Sequence, residues 1–333
     1  MNKSTNKLYE YEALRGLSIV LLLILHSEII GISVYGISLD PLAKFMAAFL
    51  LGSFFFLGGY FMDASLQRYQ NNYWGFVKAR FVRIYPPYWA ALAFFTLLYT
   101  LKPFDTLIYI LNLQIVFSPV YVKPLLTLWY ISLLVVFLIL FFILTAFSKQ
   151  NTTKLVVFST VVFFVVYFVH LKTGLFDPRF FRYYIIFFAG MCLYRFNDLW
   201  NRSLDTPVGY KLLAVFFSSL FYLWALVSKL SDIHGALILV VVIFALSWIW
   251  LTLSIFKNTS IGQWKIWIFL STASYFAYLV HRPLWHYMDI ALKVEEWGNV
   301  YMFNFLVGSI TALILGYFLQ LGYDKLLAAM HLK

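Results

Sequence analysis

The sequence is short of several things. There is one cysteine in 333 residues, Cys192, which excludes a disulfide framework and any cysteine-held zinc or iron–sulfur centre. Charged residues make up only 12% of the chain, about half of what a soluble domain carries. No glycine-rich phosphate loop is present, so chemistry driven by ATP is not expected. Three histidines at metal-ligand spacing are lacking too, and no metal site is expected. Low-complexity tracts, flexible linkers and internal repeats are missing, so residues 1–333 read as a single domain.

What is there is apolar. Hydrophobic residues reach 63%, aromatics 21%, and mean hydropathy is +0.83. A soluble fold of this length could not hide so much apolar surface, so lipid has to be part of the solvent. Ten stretches have the length and composition of spans: Leu14–Val34, Leu42–Met62, Ile84–Leu101, Leu128–Phe147, Leu155–His170, Phe180–Tyr194, Leu212–Val227, Ala236–Phe256, Ile266–Met288 and Val300–Gly322. The fifth and sixth are short. What remains averages about a dozen residues per tail or loop, which leaves no room for a separate soluble domain. Leu107–Val122 is also apolar, but Asn112, Gln114 and Pro119 interrupt it; it reads as a re-entrant or surface-packed loop.

The formal net charge of +11 comes from basic residues scattered between apolar runs, a pattern of membrane orientation rather than of nucleic-acid binding. With the N-terminus inside, 16 of the 25 lysines and arginines, Lys3, Lys7 and Lys333 among them, collect on that side and 9 on the other. Both termini are therefore expected to be cytoplasmic. The acidic group Asp289, Glu295 and Glu296 falls on the outer side.

Ionisable residues inside spans are costly and mark candidate sites. His26 shares the first span with Arg15. Eleven residues at about 100° each make three turns and roughly 20°, so the two side chains share a helix face about 16 Å apart along the axis. Arg80 and Arg83 are neighbours on a helix leading into the third span, which Pro86 and Pro87 are expected to break and restart. They suit either a positive-inside anchor or a guanidinium fork for phosphate. His281 lies in the outer half of the ninth span beside Pro283, suited equally to a structural hydrogen bond and to substrate binding. His170, His234, His286 and His331 are given no role. Gly58 and Gly59 read as a close-packing position.

Taken in order, several segments resemble the acyltransferase 3 family of bacterial membrane proteins. Leu14-Arg15-Gly16 through His26 is similar to its Arg, ten residues, His signature. Phe54-Phe55-Phe56-Leu57-Gly58-Gly59-Tyr60 resembles its second-span motif, with Gly58 where a serine is usual. Arg80-Phe81-Val82-Arg83-Ile84-Tyr85-Pro86 matches its R-x-x-R-I-x-P segment. Leu128-Trp129-Tyr130, Phe187-Phe188-Ala189-Gly190 and Tyr278-Leu279-Val280-His281-Arg282-Pro283 resemble further motifs. Ser132 and its neighbours stand where many O-antigen and peptidoglycan members carry a glutamate. The chain also ends without the esterase-like domain of some members.

The resemblance implies an all-α membrane O-acyltransferase of the bacterial inner membrane, acetyl-CoA or another acyl-CoA as co-substrate, and no permanently bound cofactor. It implies a hydroxyl acceptor on a surface polysaccharide, lipopolysaccharide or lipid-linked sugar. His26 and Arg15 are then the catalytic candidates, His26 acting as general base or as a transient acyl carrier. Arg80 and Arg83 would bind the donor, and His281, Tyr278 and Trp129 would shape the acceptor pocket. The competing expectation is a transporter or flippase, against which mid-span acidic residues are scarce: Glu28 lies in the outer half of the first span and Asp63 at the end of the second.

Overall fold

The computed structural model describes residues 8–31, 39–69, 72–98, 101–148, 151–294 and 299–331. Lys3, Lys7, Lys149, Lys333, Glu295, Glu296 and the expected end of the first span at Val34 lie outside them. Among the described residues the chain is entirely helical, without a strand. Ten long helices follow the ten apolar stretches in order: α1 (Tyr9–His26), α2 (Asp40–Arg68), α3 (Tyr73–Leu98), α6 (Trp129–Ser148), α7 (Thr152–Thr173), α8 (Arg179–Arg195), α10 (Val208–Val227), α11 (Gly235–Asn258), α12 (Lys265–Leu292) and α13 (Val300–Ala329, with a π turn at Asn304–Gly308). Three short helices, α4 (Pro103–Ile110), α5 (Gln114–Phe117) and α9 (Asn197–Leu204), lie between them.

Seven of the long helices have the length and apolar composition to cross a membrane. The other three are α1, α8 and α12. Helix α1 puts Glu10, Glu12 and Arg15 into 18 residues, α8 has 17 residues, and α12 carries hydroxyls, His281 and Arg282 along its middle. Of these, Arg15, Ser274, Tyr275 and Tyr278 face the cavity described below, and His281 and Arg282 pair with His26 and Glu28.

Small residues set the central contacts. A Cβ added to Gly59 of α2 would lie 1.9 Å from the Phe187 carbonyl oxygen of α8, and one on Gly190 would lie 2.3 Å from that of Phe56. The two helices therefore touch backbone to backbone and run parallel, the close approach that only glycine permits. Gly58, one residue away, faces the cavity instead. Helix α1 lies parallel to α12, with Gly16 against Trp267 and Leu270, and Gly316 seats α13 on α12 at Ala273 and Ala277.

The expected break at Pro86–Pro87 does not occur; α3 runs continuously from Tyr73 to Leu98, starting well before Ile84. Proline 86 has no N–H for the carbonyl four residues back, at Val82. The Tyr323 hydroxyl of α13 donates to that carbonyl, and the Tyr275 hydroxyl of α12 donates to the Ile84 carbonyl at 2.9 Å. The Tyr323 donor, supplied by a packed neighbour, replaces the one lost at Pro86 and helps the span stay helical.

The 107–122 segment forms no further span. It contains part of α4, all of α5 and irregular chain held from inside the protein. The Ser132 hydroxyl donates to the Asn112 carbonyl at 2.7 Å, and the Leu125 amide donates to Gln114 Oε1 at 2.7 Å. Lys211 is fully buried, its Nζ donating to the Leu204 and Thr206 carbonyls and to Ser254 Oγ, which ties α9 to α10 and α11.

Candidate active site

The parallel packing of α1 and α12 brings two histidines 255 residues apart into contact. His26 Nδ1 lies 2.8 Å from His281 Nε2, with the rings stacked at 5.0 Å between centroids. His281 is fully buried, and its Nδ1 lies 3.1 Å and 2.8 Å from the carbonyl oxygens of Ala277 and Tyr278. Carbonyls only accept, so His281 Nδ1 carries a hydrogen. In neutral His281 the lone pair is then on Nε2, and His26 Nδ1–H donates to it. That leaves the lone pair of His26 on Nε2. Two backbone carbonyls thus fix the tautomer of one imidazole, which fixes the tautomer of the next.

Below this pair, toward the start of α1, lies a cavity with about 1240 Å³ of empty space, its mouth included. Arg15, Arg80 and Arg83 line one end, and Leu22, Tyr130 and Tyr278 line the wall toward the histidines. Arg15, Leu22 and His26 are spaced seven and four residues apart, so one face of α1 runs from the guanidinium past the cavity wall to the imidazole. The cavity ends one helical turn short of the histidine pair. Aromatic rings hold two of the arginines: Arg15 Cζ lies 5.9 Å over Phe61, and Arg80 Cζ 5.4 Å over Phe76. Arg83 is exposed. No carboxylate lies within ion-pair distance of these three arginines among the described residues. Asp324 also lines the cavity, accepting from Gln320 Nε2 at 3.2 Å. Three guanidiniums converging without an acidic partner form a place for a polyanion.

The residues singled out from sequence thus fall into three places. Arg15, Arg80, Arg83 and Tyr278 share the cavity, and His26 and His281 share a hydrogen bond. Trp129 stands apart. The Arg179 guanidinium lies 4.1 Å over its ring and grips Asp177 through both carboxylate oxygens at 2.7 Å, while Ser118 Oγ donates to the same carboxylate. Burial pushes the Asp177 carboxyl up, but Arg179 and Ser118 outweigh it and hold the group below the usual carboxylate value. Tyr275 and Tyr323 were not singled out from the sequence, and Tyr130 stood there only as part of a motif; Pro86, by stranding a carbonyl, was the one sign that a donor such as Tyr323 was needed. The two acids weighed for proton coupling are both ion-paired, Glu28 with Arg282 at 3.2 Å and Asp63 with Arg195 at 2.6 Å.

A multi-pass helical membrane protein with a buried histidine paired to a half-buried one between two spans, and a basic cavity leading toward them, defines the class. The chain belongs to the acyltransferase 3 family: the model of that acyltransferase domain matches residues 8–321. No curated protein and no solved structure matches the chain. The protein is therefore a membrane acyltransferase.

Proposed function

We propose that this acyltransferase takes an acyl group, acetyl in the first instance, from acyl-CoA on the cytoplasmic side of a bacterial inner membrane. It passes the group to a hydroxyl of a surface polysaccharide, lipopolysaccharide or lipid-linked sugar. The observation that carries this reading is the cavity itself, with three unpaired arginines at one end and the histidine pair one turn beyond the other. The donor's phosphates would sit on Arg15, Arg80 and Arg83, and its thin arm would follow the α1 face past Leu22. N- and C-termini would then be cytoplasmic, on the arginine side. His281 and Trp129 lie toward the opposite side, where the acceptor would enter.

In this reading His26 Nε2 takes the proton from the acceptor hydroxyl as its oxygen attacks the thioester carbonyl carbon. The new C–O bond forms, the C–S bond breaks, and the thiolate leaves with the proton carried by His26. His281 would meet the acceptor side only and not the donor. It holds His26 in the tautomer with a bare Nε2, the job a carboxylate does in a Ser-His-Asp triad.

The test is to incubate the purified protein with radiolabelled acetyl-CoA and extracted cell glycolipids. The wild type should label an acceptor, and His26→Ala should not, while remaining folded and membrane-inserted. Full labelling by His26→Ala would sink the reading. Movement of a glycolipid across the bilayer without labelling would favour a transporter.

A further inference from the structure

Tyr278 is 6% exposed and lines the cavity; the Tyr130 backbone N–H faces its hydroxyl oxygen, and its hydroxyl hydrogen has no acceptor among the described residues. A buried hydroxyl hydrogen without an acceptor is a standing cost of about 1–3 kcal/mol. The other tyrosines of this cavity's α12 and α13 walls do not bear that cost: Tyr275 donates to Ile84 and Tyr323 to Val82. The Tyr278 ring meets the Tyr130 ring edge-on, 5.3 Å between centroids, at the first turn of α6. That helix aims its positive dipole end at the same wall. Three residues further along α12 stands His281, so Tyr278 stands between the arginine end of the cavity and the histidine pair.

We infer that Tyr278 is a further catalytic residue, whose hydroxyl donates a hydrogen bond to the thioester carbonyl oxygen of the donor and to the oxyanion that this oxygen becomes. The inference rests on the reading above, in which the thioester comes to the end of the cavity below His26. When the acceptor oxygen bonds to the carbonyl carbon, the C=O π pair moves onto oxygen, and the Tyr278 O–H shortens its hydrogen bond to that charge without giving up its proton. When the pair returns, the C–S bond breaks and the thiolate takes the proton from His26. The first turn of α6 adds its dipole to the same charge. A donor already in place costs no reorganisation during the reaction, which is why such groups are held ready and unpaired before substrate arrives.

The experiment is Tyr278→Phe, which removes one oxygen and keeps the ring. Three quantities are read against the wild type: turnover of acetyl-CoA with a labelled acceptor, affinity for an S-alkyl-CoA thioether, and melting temperature. Loss of one oxyanion donor should lower kcat by about 10²–10³-fold. The thioether has no carbonyl, so both proteins should bind it equally. The melting temperature should hold, since the variant loses a hydroxyl hydrogen that had no acceptor together with a weak contact from the Tyr130 N–H. Wild-type kcat in Tyr278→Phe overturns the inference, as does a lowered melting temperature or a weakened hold on the thioether, either of which assigns the hydroxyl to structure or to arm binding. A wild type that labels no acceptor, or a His26→Ala as active as wild type, overturns the underlying reading instead.

Discussion

Replacing His281 with leucine removes one hydrogen-bond acceptor and leaves the arginines and Tyr278 of the cavity intact. In the wild type His26 Nδ1–H has one partner, His281 Nε2 at 2.8 Å. Without it, the buried N–H goes unmatched, at about 1–3 kcal/mol. The imidazole can escape that cost by moving its hydrogen to Nε2, which removes the lone pair that the proposed reaction needs. If the whole difference falls on the reactive tautomer, the rate drops by roughly 5- to 150-fold, at 1.36 kcal/mol per tenfold. The loss should be in kcat at saturating acetyl-CoA, with KM retained, because the arginines lie at the far end of the cavity.

Glutamine supplies the control. Its amide oxygen reaches about as far from the backbone as His281 Nε2 and can accept from His26 Nδ1–H. His281→Gln should therefore keep substantially more activity than His281→Leu in the same membrane preparation. Wild-type kcat in the leucine variant would refute the tautomer argument. So would equal impairment of the two variants, since that would make His281 a packing residue and no more.

Three further outcomes follow from other parts of the molecule. Arg83→Ala should raise KM for acetyl-CoA by about 10- to 150-fold, the worth of a charge-assisted bond of about 1.5–3 kcal/mol, but leave turnover of a short acetyl thioester without phosphates unchanged; equal loss with both donors would return Arg83 to a membrane anchor. Gly59→Ala should lower the melting temperature sharply, because its Cβ would fall 1.9 Å from the Phe187 carbonyl oxygen and the helices would have to separate, at about 1–3 kcal/mol or more; an unchanged melting temperature would mean that the α2–α8 contact is soft. Asp177 has its carboxyl held low in the folded protein, so its contribution is complete above the unfolded value of about 3.9 and is lost as pH falls through the folded one. Melting curves from pH 7 to pH 3 should thus fall more for wild type than for Asp177→Asn; parallel curves would show that the Arg179 grip contributes nothing.

The number and order of the long helices were legible because lipid enforces them: a span has to be apolar for about 20 residues, and that shows in one dimension. The shared face of Arg15 and His26 was legible too, since both lie on one helix and periodicity alone relates them. The pairing of His26 with His281 was not. It depends on α1 lying parallel to α12 in a register that places Gly16 on Trp267 and Leu270, and nothing local to either helix encodes that. The continuity of α3 was misread for the same reason. Proline chemistry predicts a break at Pro86, and the remedy, Tyr323, is 241 residues from the Val82 carbonyl it satisfies. Local rules hold until a neighbour supplies what they lack.

The parallel pairing of α1 and α12 also does something that neither helix could do alone. It is pinned at two levels, by Gly16 against Trp267 and Leu270 near one end and by the two imidazoles near the other. Between these pins the helix rise sets the distance from Arg15 to His26 at about 16 Å. A loop-borne site would let that distance vary with each fluctuation, and a phosphate-anchored donor would then present its reactive atom at a changing depth. A helix makes the separation a fixed length, so a donor held by its charged end, as proposed, would be stopped at one depth in the bundle. Tyr278 and His281, three residues apart on α12, stand at that depth because α12 is locked in register with α1. Specificity for the length of the donor arm would then reside in the backbone of α1, in how many residues separate its arginine from its histidine.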